Sequence, residues 1–448
     1  MHPILFRIPL PKAPLQLWWA LAAVALVAAL YAVVALRKTE RRTACVALLV
    51  SGLVALAAFR FKDVSYSAPN LPIYSYGVML GLSLVAGWFV SLTLAEREGL
   101  PREVIGNCYV VTAMAAIVGA RFLYVVTNPD EFKTAADLLA LRKGGLVAYG
   151  GFIGGFVGSW AYLRSYGIRL LPWADVAVPS LALGLGITRI GCYLYGCDFG
   201  QRLSEKAPSW LQKLGTFPEW SSDALDTNRG SPAFLRHIDL FRGTPLEAQL
   251  HTMKHSFPVH PTQIYESIVG LLLLVSFFAL RKRSLFRGHL FFLFVFAYGF
   301  LRFLIEIVRD DPEREAWGPV GSIHVFIPIG LLVFAVAFAF GPALSFARSQ
   351  TRNAIRALMF VPATVAYLWL KPASFATSAA VRLSVSQWVA LVTTAAASWA
   401  FAHYWQMSRK NPKLAMSLGD GDVLVEATTA KDPPKETSEV LEEDRDAS

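Results

Sequence analysis

Residues 289–308 read HLFFLFVFAYGFLRFLIEIV. Twenty residues this apolar, carried through all faces of a helix, match the ~30 Å hydrocarbon core of a bilayer at ~1.5 Å per residue. They do not match the one-sided apolar stripe of a soluble surface helix. Two charges interrupt the block, Arg302 and Glu306, and with Tyr298 they follow an i, i+4, i+8 spacing that puts all three near one face. A guanidinium at mid-bilayer costs at least ~2.5–3.5 kcal/mol, so such a face turns toward a cavity or a partner. The same stretch therefore predicts a membrane span and a site on it.

The rest of the chain has the same character. Of 448 residues 55% are hydrophobic and 17% charged, against roughly 25% charged in a soluble domain, and the mean hydropathy is +0.45. This excludes a soluble enzyme. Nine spans are clear, at about 17–36, 44–59, 74–95, 105–126, 145–163, 170–195, 263–280, 289–308 and 322–340, and a weaker pair at about 355–370 and 386–402 brings the expectation to eleven. Basic residues gather in alternate loops, from Arg37, Lys38, Arg41 and Arg42 to Arg409, Lys410 and Lys413. The positive-inside rule then makes those loops cytoplasmic, the N-terminus external and the tail internal. The first span is too long for a signal-peptide core and its basic flank follows it, as in a retained anchor.

The net charge of +10 hides an acidic tail: residues 414–448 hold three basic and ten acidic residues, a net of −7, which leaves the remainder at +17. A basic surplus of this kind serves membrane orientation and contact with anionic lipid, and no nucleic-acid partner is expected. The tail reads as disordered, and residues 196–260 as a long external loop. Cysteines at 45, 108, 192 and 197 form no secreted disulfide framework. No repeat of fixed period is apparent.

Further polar groups sit within apolar blocks. Arg121 follows Gly119-Ala120, and Arg189 lies in a glycine-rich run from Gly184 to Gly191. Arg121 reads equally as an interfacial snorkelling residue, and Arg302–Glu306 as an ion pair that neutralises itself on insertion. Three guanidinium groups together suggest an anionic headgroup, because Arg forms forked hydrogen bonds to phosphate. The run His260-Pro261-Thr262-Gln263-Ile264-Tyr265-Glu266 starts a helix through its Pro and Thr, yet it also aims Gln263 and Glu266 into an apolar span. The run from Gly144 through Tyr149, Gly150 and Gly151 to Gly155 is dense enough in small residues for close helix approach.

Taken in order, Tyr74-Ser-Tyr76-Gly77, Gly119-Ala-Arg121, the Gly144–Gly151 run, Arg189-Ile-Gly191 with Gly200, His260 to Glu266, and Tyr298 to Glu306 resemble the prolipoprotein diacylglyceryl transferase family over about residues 71–340. The resemblance implies an all-α polytopic membrane protein, with a seven-helix core around a lipid-filled cavity and about four additional spans. It assigns residues 1–70 and 341–410 to the additional helices and 411–448 to the tail. It implies a bacterial inner-membrane enzyme that moves the diacylglyceryl group of phosphatidylglycerol to the lipobox cysteine of a preprolipoprotein, releasing glycerol phosphate. No metal or organic cofactor is implied.

Carried over by motif, Arg302, Glu306 and Tyr149 would be catalytic, with Glu306 orienting Arg302. Arg189 would hold the headgroup, with Arg121, Gly191, Gly200, Asp198, His260, Gln263 and Glu266 in support. Tyr76 and Tyr298 would line the lipid cavity, and Gly150 and Gly151 would let the headgroup approach the backbone. The lipoprotein segment would enter laterally from the bilayer.

Two departures stand out. Many relatives have His where this chain has Tyr149, and a phenol of pKa ≈ 10 is a poor base at neutral pH. The base is then Glu266 or His260, or the phenol acts by hydrogen bonding, or nearby Arg charge ionises the thiol. After Gly191 the chain reads Cys192-Tyr-Leu-Tyr-Gly196-Cys197-Asp198, where Asp198 takes a polar role displaced by one position and the cysteines read as packing residues. These departures keep open a divergent paralogue that binds lipid with altered or lost transfer. A transporter of anionic lipid or solute remains the alternative from another class.

Overall fold

A computed structural model describes residues 3–9, 15–37, 41–60, 62, 65–66, 70–132, 138, 145–220, 230–312, 314–372 and 379–419. The acidic tail beyond 419, Gly144 and part of the 196–260 segment lie outside the described residues. The chain divides into two compact units, one running to Val78 and the other from Met79 onward.

In the first unit, helices α1 (Leu17–Arg37) and α2 (Arg41–Arg60) pack as a hairpin. Their contact is made of alanines, Ala25, Ala32, Ala44, Ala47 and Ala58 all being buried, while Val27, Leu49 and Phe59 face outward. Small residues inside and large ones outside suit helices surrounded by lipid. A strand Ile4–Pro9, absent from the sequence expectation, pairs antiparallel with Asn70–Tyr74 and leads into α3 (Ser75–Arg97).

The second unit is a helical bundle, all-α apart from two-residue pairings and isolated bridges among its described residues. Helices α4 (Arg102–Thr127) and α5 (Ala148–Arg164) meet along a seam of small residues. A Cβ on Gly119, Gly150 or Gly154 would fall inside contact distance of the facing backbone. The sequence places the start of this span at 145, but Gly145 adopts φ +81° and delays the helix to Ala148.

Helix α6 (Leu170–Tyr195) is followed by three short helices of the 196–260 segment, α7 (Ser209–Leu214), α8 (Pro232–Leu240) and α9 (Pro245–Met253). These are no bare loop, because Phe234, Leu250 and Phe257 close a small core of their own. Beneath it, His237 Nδ1 accepts the Phe257 N–H at 3.1 Å, and burial pushes that imidazole down to about 4.

Helices α10 (Thr262–Leu280) and α11 (His289–Val308) follow, then α12 (Ile323–Phe340), the pair α13 (Ser349–Leu358) and α14 (Val361–Leu370), and α15 (Val385–Lys410). Eight of the eleven expected spans are long and apolar enough to cross a bilayer among the described residues. The other three, α1, α2 and the 17-residue α5, are helical as well.

Two crossings decide where the polar residues meet. Gly270 of α10 lies against Gly186 of α6, where a Cβ would stand 2.6 Å from the Gly186 nitrogen, and Ser267 Oγ donates to Gly186 O at 2.7 Å. Glu266 and Arg189, one turn away on each helix, are thereby set face to face. At its opposite end α11 is fixed by Asp175 of α6, whose carboxylate accepts from the N–H groups of Gly288 (2.7 Å) and Phe291 (2.9 Å), an anion placed on a helix N-terminus.

Candidate active site

The C-terminal end of α6, the start of α10 and the end of α11 converge around one turn. Gly196, at φ +86°, ends α6, and Asp198 follows in the left-handed region at φ +56°. The turn is gripped from α10: Thr262 Oγ1 donates to Asp198 O, and Gln263 Nε2 to Cys197 O. Gly200 N–H donates to His260 O at 2.9 Å, and Gln201 N–H to Val308 O at 2.7 Å. A Cβ on Gly200 would stand 2.5 Å from Val308 O and 2.7 Å from His260 Cβ, so only glycine fits this junction. Gln263 and Gly200 thus hold the backbone that presents Asp198.

The charged side chains form a closed ring. Arg189 meets Asp198 at 2.8 Å through Nη1 and Glu266 at 2.7 Å through Nε. Glu266 also meets Arg302, which reaches Glu306 at 2.5 Å through Nη2. Glu306 meets Arg309 at 3.3 Å, and Arg309 returns to Asp198. Three cations and three anions therefore alternate around one circuit. Asp311 is attached to it through Arg309, and Arg314 lies 3.5 Å from Glu306. The circuit with its two attachments is neutral.

Such burial demands pairing, because an isolated charge here would cost several kcal/mol. Glu266 and Glu306 are 1% exposed and Arg309 6%. Burial alone would raise the Asp198 carboxyl, but the charges of Arg189 and Arg309 hold it below the usual carboxylate range. Burial alone would lower Arg309; its hydrogen bond to Asp311 and the charges of Asp198, Asp311 and Glu306 keep it above its ordinary value.

The structure brings the expected residues Arg189, Arg302, Glu306, Glu266 and Asp198 together, and the self-neutralising Arg302–Glu306 pair is present as one side of the ring. The sequence reading missed Arg309, Asp311 and Arg314. Arg309 was legible as i+3 from Glu306, but a basic residue at a span boundary is ordinarily an interfacial anchor.

Not every expected residue joins the cluster. Arg121 is not part of the ring among the described residues: its Nε donates to Leu138 O at 3.0 Å, its Nη1 to Gly145 O at 2.9 Å, and it stacks near Tyr124 and Phe132. Gly150 is turned against Gly119, so its small size serves the α4–α5 seam and not the approach of a headgroup. Gly151 also faces α4 but has room, a Cβ there standing 3.5 Å from Ala116 O. Gly191 is buried within α6. His260 Nδ1 lies 3.2 Å from the Tyr265 hydroxyl, and burial holds its pKa below the ordinary value. Tyr76 lies in the first turn of α3, in the N-terminal unit, 40% exposed.

Tyr298, stacked on Phe294, lies within electrostatic reach of Arg302, Glu266, Arg189 and Tyr149. Tyr149, half-buried, donates its hydroxyl to Ser386 Oγ at 3.1 Å. Cys192, Cys197 and Asp198 offer ligand atoms within 4.8 Å of one another. Asp198 is already held by two guanidinium groups, whose charge beside a would-be cation opposes metal binding.

Arg189 and Arg302 are therefore fixed by carboxylates on some nitrogens and open on others. Among the described residues the partners of Arg189 engage Nε and Nη1, and those of Arg302 engage Nη1 and Nη2. No such partner falls on Arg189 Nη2 or Arg302 Nε among the described residues.

The profile of the prolipoprotein diacylglyceryl transferase family matches residues 63–349, which include the whole ring. A phosphatidylglycerol–prolipoprotein diacylglyceryl transferase of Clostridium tetani is 28% identical over 279 residues, covering 61% of this chain and 97% of that protein. The proteins of the same name from Bacillus cereus (26% identical) and Bacillus anthracis (27%) each align over 268 residues, 60% of this chain and 87% of theirs. The chain is a polytopic membrane transferase and belongs to the prolipoprotein diacylglyceryl transferase family.

Proposed function

We propose that this protein transfers the diacylglyceryl group of phosphatidylglycerol to the lipobox cysteine of a preprolipoprotein in a bacterial inner membrane. The observation that carries the reading is the ring of buried ion pairs, which holds two arginines rigid while leaving a donor on each. A phosphodiester between Arg189 Nη2 and Arg302 Nε would receive one charge-assisted hydrogen bond from each arginine, from groups that need no rearrangement.

In the reaction the cysteine sulfur forms a bond to the glycerol carbon of the diacylglyceryl moiety. The C–O bond to phosphate breaks, and glycerol phosphate leaves with the electron pair. Its departing charge falls beside Arg302, while Glu266 and Glu306 keep that side chain oriented. Both Glu266 oxygens lie beside guanidinium groups, which suits Glu266 to orienting the arginines. Positive charge near the thiol lowers its pKa enough for solvent to take the proton, and Tyr149 contributes by hydrogen bonding.

Residues 71–340 form the transferase core of this proposal, with the flanking helices 1–70 and 341–410 added to it and 411–448 a cytoplasmic tail. The N-terminus faces outside and the ring opens toward the outer leaflet, in keeping with the basic loops. The test is purified protein in detergent with labelled phosphatidylglycerol and a lipobox peptide, the products read by mass spectrometry. A thioether-linked diacylglyceryl peptide with released glycerol phosphate is expected from wild type and none from Arg189→Ala. Lipid binding without product in wild type overturns the reading in favour of a paralogue that has lost transfer.

A further inference from the structure

We propose that Ser386, on the appended helix α15, is a positioning residue for Tyr149, so that the transferase site is completed from outside the family-matched region. This rests on the transferase reading above. The family match ends at residue 349, and α15 begins at Val385. Yet the Tyr149 hydroxyl donates to Ser386 Oγ at 3.1 Å across 237 residues of chain.

The contact is held from several sides. Ser384 and Gln387 form a reciprocal capping box at the start of α15, the Gln387 N–H reaching Ser384 Oγ at 3.1 Å and the Ser384 N–H reaching Gln387 Oε1 at 2.9 Å. The Gln387 amide also donates to Phe303 O on α11 at 3.4 Å, beside Arg302. Trp388 Nε1 donates to Trp317 O at 3.0 Å, and Trp317 N–H to Leu383 O at 3.0 Å. Farther along, Thr394 packs on Gly299 of α11, where a Cβ would strike its hydroxyl. The position of Ser386 along the axis is therefore fixed to the helix that carries Tyr298 and Arg302.

The chemical consequence follows from donor accounting. A phenol has one O–H, and Ser386 takes it, so the Tyr149 oxygen presents its lone pairs to whatever occupies the site. That oxygen then accepts a hydrogen bond from a hydroxyl or thiol of the substrate in a fixed direction. With Ser386 removed the phenol rotates freely and no longer commits its oxygen as an acceptor.

The experiment is a double-mutant cycle on diacylglyceryl transfer with Ser386→Ala, Tyr149→Phe and the pair. Each single change is expected to lower kcat/KM by about fivefold, the weight of one hydrogen bond, and the pair to lose no more than Tyr149→Phe alone. Ser386→Thr, which keeps the hydroxyl, restores activity to within about twofold of wild type. Thr393→Ala, on the exposed face of the same helix, leaves activity unchanged. Additive losses, or a Ser386→Ala protein equal to wild type, overturn the role of Ser386 while leaving the transferase reading intact. Failure of Ser386→Thr to rescue shows that bulk and not the hydroxyl matters, and also overturns it. A wild-type protein that forms no thioether product overturns the transferase reading itself.

Discussion

Replacing Glu266 by Gln tests whether the ring is an orienting frame. Glu266 is 1% exposed and is the shared anion between Arg189 and Arg302. The amide keeps the shape but removes the charge, leaving two buried guanidinium groups without their common partner. Removing one member of a buried pair costs about 3–5 kcal/mol, so the thermal midpoint in detergent should fall. The neutral network becomes +1 at the same time. At an assumed separation of about 6 Å and an effective dielectric of about 20, an uncompensated charge attracts a phosphate by up to about 3 kcal/mol. Affinity for phosphatidylglycerol should therefore hold or tighten, measured by binding of labelled lipid in neutral micelles. Turnover should drop by about a hundredfold, because guanidinium groups displaced by an ångström no longer meet the leaving phosphate. Tight binding with poor turnover is the expected signature. Wild-type turnover in Glu266→Gln would refute the frame. Unchanged affinity and stability, with a loss confined to kcat, would instead make Glu266 the proton acceptor.

Other consequences are open to direct measurement. Gly150→Ala drives a methyl into the Gly119 backbone and should cost about 1–3 kcal/mol in stability, whereas Gly151→Ala, with its nearest neighbour at 3.5 Å, should be close to neutral; thermal unfolding of the two variants separates helix packing from a headgroup role. His237 has its folded pKa depressed to about 4 from an ordinary value near 6.5. The unfolded segment then binds more protons between those values, so the stability His237 contributes, of the order of 3 kcal/mol, is present above about pH 6.5 and lost as pH falls toward 4. Hydrogen exchange of residues 232–258 should accelerate over that window in wild type, and the acceleration should be absent in His237→Phe.

The spans were legible because the requirement is local: about twenty apolar residues make a span wherever they stand. That is why α11 could be read directly from residues 289–308. The added helices α14 and α15 gave a weaker signal, since Pro362, Ser386, Gln387, Thr393 and Thr394 dilute their hydropathy. Arg189, Arg302, Glu306 and Glu266 stood out for the complementary reason, that charge within an apolar block needs a partner. Arg121 met the same criterion and lies outside the ring, because hydropathy records that a charge needs a partner and not which partner. Among the described residues, backbone carbonyls at Leu138 and Gly145 supply it instead.

The sequence by itself therefore determined a membrane-spanning helical protein, its family, and most of the charged residues that meet in the ring, because these depend on composition along single helices. Only the tertiary structure decided that the charges close into a neutral ring through Arg309 and Asp198, that Gly150 packs a helix seam, and that Ser386 reaches Tyr149. Each of these joins residues from different helices, and the glycine crossings and the left-handed turn at Asp198 that bring them together act at close range in three dimensions, where no spacing along the chain records them.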